Sequence, residues 1–136
     1  MHNDSLAADY LLRARHRLKA VEVLMDLGSW ADVVRESQEI VEITLKALLR
    51  ACRVEVPRIH DVSAVVEQNR NLLPESIRKQ VDELSAISRS LRRDRELAFY
   101  GSEDLTPSEF YKASDARTAM SQAALVVAAV SESLET

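Results

Sequence analysis

The chain has 136 residues, which suits one domain and not two. Apolar residues make up 46% and charged residues 29%, which argues against a disordered chain, and the net charge of −4 excludes a uniformly basic nucleic-acid-binding surface but not a local basic patch. Two glycines and three prolines leave little material for the tight turns of a sandwich or barrel, so the composition favours an all-α protein.

Cysteine usage and hydropathy indicate the compartment. The single cysteine, Cys52, excludes an internal disulfide framework. The residues after Met1 lack the basic and apolar pattern of a secretory signal, and the longest apolar run, the eight residues Ala123–Val130, is less than half a membrane span. We therefore expect a cytoplasmic protein that does not contact a membrane.

Apolar residues recur with a period near 3.6 in five stretches, and each stretch predicts a helix. Gly28 ends the first, Ser29 or Asp32 caps the second, Pro57 interrupts the chain after it, and Gly101 stops the fourth. The predicted helices run from about Asp4 to Asp26, Trp30 to Arg53, His60 or Asp61 to Leu72, Pro74 to Tyr100, and Thr106 to Leu134.

The clearest local signal is Thr106-Pro107-Ser108-Glu109. Thr106 is placed as the N-cap, Pro107 at the first helical position, and Glu109 completes a capping box. The fifth helix follows, with Phe110 predicted on its inner face.

Long amphipathic helices with short loops predict an up-and-down antiparallel helical bundle that occupies residues 1–136 as one domain. Ile43 and Val126 add apolar surface beyond a single stripe, which suggests a second buried face and a homodimer. The alternative is a wide apolar stripe within a monomeric bundle.

The sequence lacks the residue patterns of several common binding and catalytic sites. Two glycines cannot form a phosphate-binding loop, no Cys and His have zinc spacing, and the three histidines, His2, His16 and His60, lie far apart. We expect no cofactor and no metal. Arg50 and Arg53 beside Cys52 would favour its thiolate, although a core-facing or surface thiol is the commoner role.

The densest functional candidate is the segment Arg89–Gly101, which holds four arginines. Helical spacing places Arg89, Arg93 and Tyr100 on one side, and Arg92 and Arg95 on an adjacent strip. Such a strip could hold a phosphate, with Tyr100 stacking on a base.

The alternative for this segment is a solvated, ion-paired face, for example with Arg92 paired to Glu96. The other basic run, Arg13–Lys19, is predicted to be a solvated face spread around its helix.

These residues together resemble the HEPN domain family, in its small stand-alone prokaryotic form. The resemblance covers almost the whole chain and depends on the order and spacing of its pieces. The pieces are Gly28–Glu39, Val41-Glu42 and Leu45–Leu48, then His60-Asp61 after a proline-containing loop, then Arg92–Gly101, and finally Pro107–Ala116.

The resemblance implies an antiparallel helical bundle that usually dimerises. Many HEPN domains are metal-independent ribonucleases of toxin–antitoxin and defence systems, with an Arg, four to six residues, and then a His in the active site. Stand-alone members are often encoded with a minimal nucleotidyltransferase, which in some pairs adenylylates a tyrosine two residues after that His. Other members are described as nucleotide-binding.

The sequence departs from the nuclease pattern at the histidine. With Arg93 as the motif arginine, Ala98 occupies the histidine position and Tyr100 the tyrosine position; with Arg95, Tyr100 occupies the histidine position. Alanine cannot transfer a proton, and tyrosine does so poorly near neutral pH. Arg53 and His60 match the spacing formally, but they flank Pro57 in a loop, so we interpret the match as chance.

The sequence therefore supports a first hypothesis of a dimeric module that binds a nucleotide, an RNA or a nucleotidyltransferase through Arg92, Arg93, Arg95 and Tyr100. The alternatives are a metal-independent ribonuclease toxin with a diverged site, for which Arg93 and Tyr100 are the candidate catalytic residues, and a protein-binding adaptor without a nucleic-acid ligand. Tyr100 is also a candidate for modification by a nucleotidyltransferase.

Overall fold

The computed structural model describes residues 2–56, 58, 61–100 and 105–135, and describes their side chains except at 2, 3 and 94–100. Within this part the chain is all-α, as predicted. A 3₁₀ turn spans Arg70–Leu72. The α-helices are α1 (His2–Asp26), α2 (Trp30–Ala51), α3 (Val62–Gln68), α4 (Glu75–Arg78), α5 (Val81–Tyr100), α6 (Pro107–Phe110) and α7 (Ala113–Glu135).

Helix α2 is the centre of the bundle. It packs against α1, α5 and α7 along its length and also contacts α3. Twelve of its 22 residues are buried, and they recur at helical spacing. Most of them are aliphatic, and Ser37, Gln38 and Thr44 are polar. The predicted stripe on this helix is confirmed: Val33, Val34, Ser37, Ile40, Val41, Thr44, Leu45, Leu48 and Leu49 are all buried.

Helices α1 and α2 each end in the same way, with a residue of positive φ after the last helical turn. Gly28 adopts a φ of 72°, its N–H donates to Met25, and the next N–H donates to Leu24. Arg53 adopts a φ of 62° after α2, and its N–H donates to Arg50 in the same way. This left-handed residue closes the helix and sends the chain back, so the neighbouring helices run antiparallel.

The prediction of one helix from Pro74 to Tyr100 is wrong in its first turns. Pro74 is the N-cap of the one-turn helix α4, and Lys79 and Gln80 form a turn before α5 begins. Ile77 on α4 and Val81 at the start of α5 are both completely buried. The predicted third helix is likewise split, since α3 ends at Gln68 and a 3₁₀ turn follows.

The predicted fifth helix is also divided. The capping box of Thr106 and Glu109 is confirmed, but it caps only α6, and Tyr111 is extended with φ −93° and ψ 141°. Tyr111 is buried, whereas Phe110, predicted to face the core, is exposed. Asp115 then accepts a hydrogen bond from the backbone N–H of Lys112 at 2.9 Å, which provides a second start for α7. Burial of Tyr111 explains the break.

The extra apolar residues that suggested a dimer face are covered within the protomer. Val126 and Val127 are both buried, and Ile43 packs against the core. The wide-stripe interpretation is therefore the correct one for these residues, because α2 and α7 each contact more than one neighbouring helix. In the described part of the chain, no helix is long and apolar enough to cross a membrane.

We expect Leu48→Ala to lower the free energy of unfolding by about 2–5 kcal/mol, because Leu48 is completely buried and its removal leaves a cavity. Urea denaturation followed by circular dichroism measures this change. Leu72→Ala is the matched control, since Leu72 is 61% exposed and its loss should change stability by less than about 0.5 kcal/mol. Equal losses in both variants would contradict the core described above.

Candidate functional site

The arginines of α5 are directed to different neighbours. Arg89 forms an ion pair with Glu67 on α3. Arg92 lies between α2 and the start of α3, and Arg93 lies towards α7. Arg89 and Arg93, which helical spacing places on one side of α5, thus have different neighbours: Arg89 pairs with Glu67 on α3, and Arg93 lines a groove between α5 and α7. Arg95 and Tyr100 belong to α5, but their side chains lie outside the described residues.

Arg92 connects three elements through two carboxylates. Its Nη1 lies 3.8 Å from Glu42 Oε1 on α2 and 3.8 Å from Asp61 Oδ1 at the start of α3. Both distances exceed direct hydrogen-bond length, so the guanidinium is attracted by both carboxylates but fixed by neither. Glu96, the partner expected from the sequence, has a side chain outside the described residues.

Asp61 has a second role at the same place. It is the N-cap of α3, and its Oδ1 accepts hydrogen bonds from the backbone N–H of Ser63 at 3.0 Å and the Ser63 hydroxyl at 2.8 Å. The predicted start of the third helix near Asp61 is confirmed, whereas His60 lies outside the described residues. The cap fixes the carboxylate that faces Arg92.

Glu42 is shared by cations on two helices. Its Oε1 lies 3.9 Å from Lys46 Nζ, in addition to Arg92, and its Oε2 accepts a hydrogen bond from Gln38 Nε2 at 2.8 Å. Gln38 is buried, and its Oε1 has no hydrogen-bond partner among the described residues. The signal for this network in the sequence was the spacing of Gln38 and Glu42, which lie at i,i+4 on α2.

Arg93 lies on the rim of a groove between α5 and α7. The groove has a volume of about 540 Å³, and its lining includes the polar side chains of Ser90, Ser121 and Gln122, the carboxylate of Glu83 and apolar side chains such as Ile87. Arg93 is exposed and forms no ion pair with any described residue. It is therefore able to bind an incoming anion without first breaking an ion pair in the described part of the protomer.

The other basic run, Arg13–Lys19 on α1, lies beside carboxylates, in agreement with the solvated face predicted for it. Arg13 and Arg17 line a groove of about 390 Å³ between α1 and α2 together with Glu39, Glu42 and Lys46. Arg15 forms an ion pair with Glu135 at the end of α7. Within the described residues, no group of three His, Cys, Asp or Glu side chains is placed to hold a metal ion.

Cys52 is half-buried at the end of α2, where it packs against the core. Burial raises the pKa of its thiol, which favours the thiol form over the thiolate. Arg53, the first member of the formal Arg–His pair, has the left-handed conformation that closes α2. The position of Arg53 is therefore explained by its structural role at the end of α2.

We expect Arg92→Ala to lower the free energy of unfolding by up to about 1 kcal/mol, since it removes the contacts of α5 with Glu42 and Asp61 in a partly solvated setting. Arg93→Ala should leave stability unchanged. Chemical denaturation of both variants at low and high salt measures the difference, which should shrink as salt rises. A larger effect from Arg93 than from Arg92 would contradict these contacts.

We also expect Cys52 to react slowly with iodoacetamide at neutral pH, with a midpoint above that of the unfolded chain in urea, because burial raises its pKa. The thiol form is then favoured in the folded state. Its contribution to stability is present below the unfolded pKa and lost as pH rises through the folded pKa. Cys52→Ser removes this pH dependence, and a midpoint at or below that of the unfolded chain would contradict it.

Comparison with known proteins agrees with the helical pattern and its motifs. The searches of curated proteins and of solved structures returned no match. The sequence model of the HEPN domain matches residues 7–133, which is nearly the whole chain. The chain therefore belongs to the HEPN domain family.

Proposed function

We propose that this protein is a dimeric HEPN module that binds a phosphate-bearing ligand, RNA or a nucleotide, without cleaving it efficiently. The proposed contacts are Arg92, Arg93, Arg95 and Tyr100. The observation that carries the proposal is Arg93, which is exposed, lines a groove with hydroxyl and amide groups, and forms no ion pair with a described residue. An exposed guanidinium that forms no ion pair with a described residue is suited to bidentate contact with a phosphate.

The local charges support a division of roles between the two neighbouring arginines. Arg92 is partly neutralised by Glu42 and Asp61, so it supports the helix geometry and adds a weaker contact. Arg93 supplies the main phosphate contact, with Ser90, Ser121 and Gln122 as hydrogen-bonding groups nearby. Arg95 and Tyr100 extend the site further along α5, where an aromatic ring can stack on a base.

The absence of a proton-transfer group supports binding over cleavage. Every histidine of the chain precedes α5 in the sequence, and Ala98 or Tyr100 occupies the histidine position of the family motif. Without a group that titrates near neutral pH, the 2′-hydroxyl of RNA has no efficient general base at this position. A diverged ribonuclease that uses Tyr100 is the competing hypothesis.

The family also suggests a biological setting. We propose that the protein acts in a toxin–antitoxin-like or defence system, where a minimal nucleotidyltransferase is the candidate partner and Tyr100 the candidate target of adenylylation. Intact mass after co-expression with such an enzyme tests this part, and the absence of an adduct on Tyr100 would oppose it.

We expect the protein to shift labelled single-stranded RNA in a gel at low salt, in the presence of a chelator, with the shift weakening steeply as salt rises. Arg93→Ala should weaken binding at least several-fold, and replacement of Arg92, Arg93 and Arg95 together should abolish the shift. Arg78→Ala is the matched control, because Arg78 is exposed at the end of α4, far from Arg93 along the chain.

Each outcome of this experiment decides between the hypotheses. Metal-independent cleavage that Arg93→Ala abolishes would make the protein a diverged ribonuclease and overturn the proposal. Neither cleavage nor shift, combined with no binding of labelled nucleoside triphosphate by equilibrium dialysis, would favour the adaptor. A shift that Arg78→Ala weakens as much as Arg93→Ala would indicate non-specific attraction and oppose the proposed site.

A further inference from the structure

The groove between α5 and α7 has a charged residue at each end. Of the described residues of α5 that line it, Glu83 is the first and Arg93 the last. Both side chains are exposed, and neither forms an ion pair with a described residue. Their positions are about 15 Å apart along the helix axis. The groove therefore has a negative end and a positive end that do not neutralise each other.

The carboxylates at the start of α5 have different surroundings. Asp82 accepts a hydrogen bond from Arg70 at 2.7 Å, so it joins α5 to the 3₁₀ turn. Glu83, the next residue, lines the groove instead. Arg92 and Arg93 differ in the same way further along α5. In both pairs one charge has a partner within the protomer, and the other is accessible to a ligand in the groove.

The lining between the two charges is apolar near Glu83 and polar near Arg93. Ala86 and Ile87 follow Glu83 by three and four residues, which is the spacing of neighbours on a helix. Ser90 precedes Arg93 by three residues, so its hydroxyl lies on the side of the positive end.

Helix α7 continues this order on the opposite wall. Ser90 and Gln122 also line a smaller cavity of about 170 Å³ together with Thr118, so the earlier residues of α7 lie beside Ser90. Leu125 is then left beside Ile87 at the apolar part of the groove. Leu125 is 37% exposed, so apolar surface is available there to a ligand.

A ligand that fits this groove needs three groups in a fixed order. It needs an anion for Arg93, a flat body for the apolar part, and N–H donors for Glu83, because an ionised carboxylate only accepts hydrogen bonds. A nucleoside monophosphate has this order, with phosphate at one end, base at the other, and ribose hydroxyls between them. The hydroxyl and amide groups of the lining suit the ribose.

We infer that this groove selects guanine among the bases, with the phosphate at Arg93 and the N1–H and amino group of the base donating to Glu83. Guanine presents these two donors side by side, which matches the two oxygens of a carboxylate. Adenine and cytosine have an acceptor nitrogen beside the amino group, and uracil has a carbonyl oxygen on each side of its N–H. Each of these bases brings a lone pair towards the carboxylate, which opposes binding.

The inference rests on the phosphate binding of the proposed function and adds the identity of the base. A free guanine nucleotide and a guanosine residue within RNA present the same groups to Glu83 and Arg93. The chemistry of recognition is therefore shared by the two sources, and the experiments below distinguish them.

Affinity for three nucleotides tests the selection. Isothermal titration calorimetry at low salt, with a chelator, measures the binding of guanosine, inosine and adenosine monophosphates to the full chain. We expect guanosine monophosphate to bind roughly tenfold more tightly than adenosine monophosphate, as for a bidentate contact to one base. Inosine monophosphate should lie between them, because it keeps the N1–H and lacks the amino group.

Glu83→Ala tests the assigned carboxylate. It should weaken binding of guanosine monophosphate to the level of adenosine monophosphate and should not weaken adenosine monophosphate, since it removes a negative charge near an anion. Glu22→Ala is the matched control, because it removes an exposed carboxylate from α1, which does not line the groove. Arg93→Ala should weaken all three nucleotides by a similar factor. Circular dichroism checks that each variant folds.

Two pentanucleotides of RNA, with a single guanosine or a single adenosine between uridines, identify the source of the ligand. The guanosine form should bind more tightly than the adenosine form, and Glu83→Ala should remove the difference. Tighter binding of this pentanucleotide than of guanosine monophosphate indicates RNA, and the reverse order indicates a free nucleotide. Equal affinity for the two pentanucleotides would oppose the inference.

The inference and the proposed function can fail separately. Equal affinity for guanosine and adenosine monophosphates, or a preference for guanine that persists in Glu83→Ala, would overturn the inference and leave phosphate binding at Arg93 in place. Failure of every nucleotide and both pentanucleotides to bind would overturn the proposed function as well.

Discussion

The covering of α2 on all sides is the constraint on which the rest of this structure depends. Twelve residues of α2 are buried, and one neighbouring helix cannot cover so wide an apolar surface. Helices α1, α5 and α7 therefore all pack against α2. The predicted fourth helix is interrupted at Lys79 and Gln80, and the predicted fifth at Tyr111, whose extended backbone accompanies the burial of its side chain.

The arrangement around α2 also determines which arginines of α5 are available. Gln38 and Glu42 bring a hydrogen-bonded carboxylate to the edge of the core, and the cap of α3 brings Asp61 to the same place. Arg92 is drawn to these two carboxylates, and Arg89 to Glu67. Arg93 lines a groove on the other side, together with hydroxyl and amide groups and the carboxylate of Glu83. The arginines that the sequence presents as one basic strip therefore have different surroundings in the structure.

The chain belongs to the HEPN family, and Ala98 or Tyr100 stands at the histidine position of the family's nuclease motif. Under the proposed function, such a site holds a phosphate ester through its arginine and lacks an efficient proton-transfer group that would cleave it.

The amino-acid sequence by itself determined the all-α class, the central stripe of α2, the capping residue Thr106, and the family, because these depend on local periodicity and on spacing along the chain. The capping box of Thr106 and Glu109 is local chemistry, and so it was predicted correctly. The tertiary structure alone decided the breaks in the predicted fourth and fifth helices, the exposure of Phe110, the burial of Cys52, and the partners of Arg89 and Arg92. These depend on which residues of distant helices approach one another, and helical spacing carries no information about the neighbour that a side chain will meet.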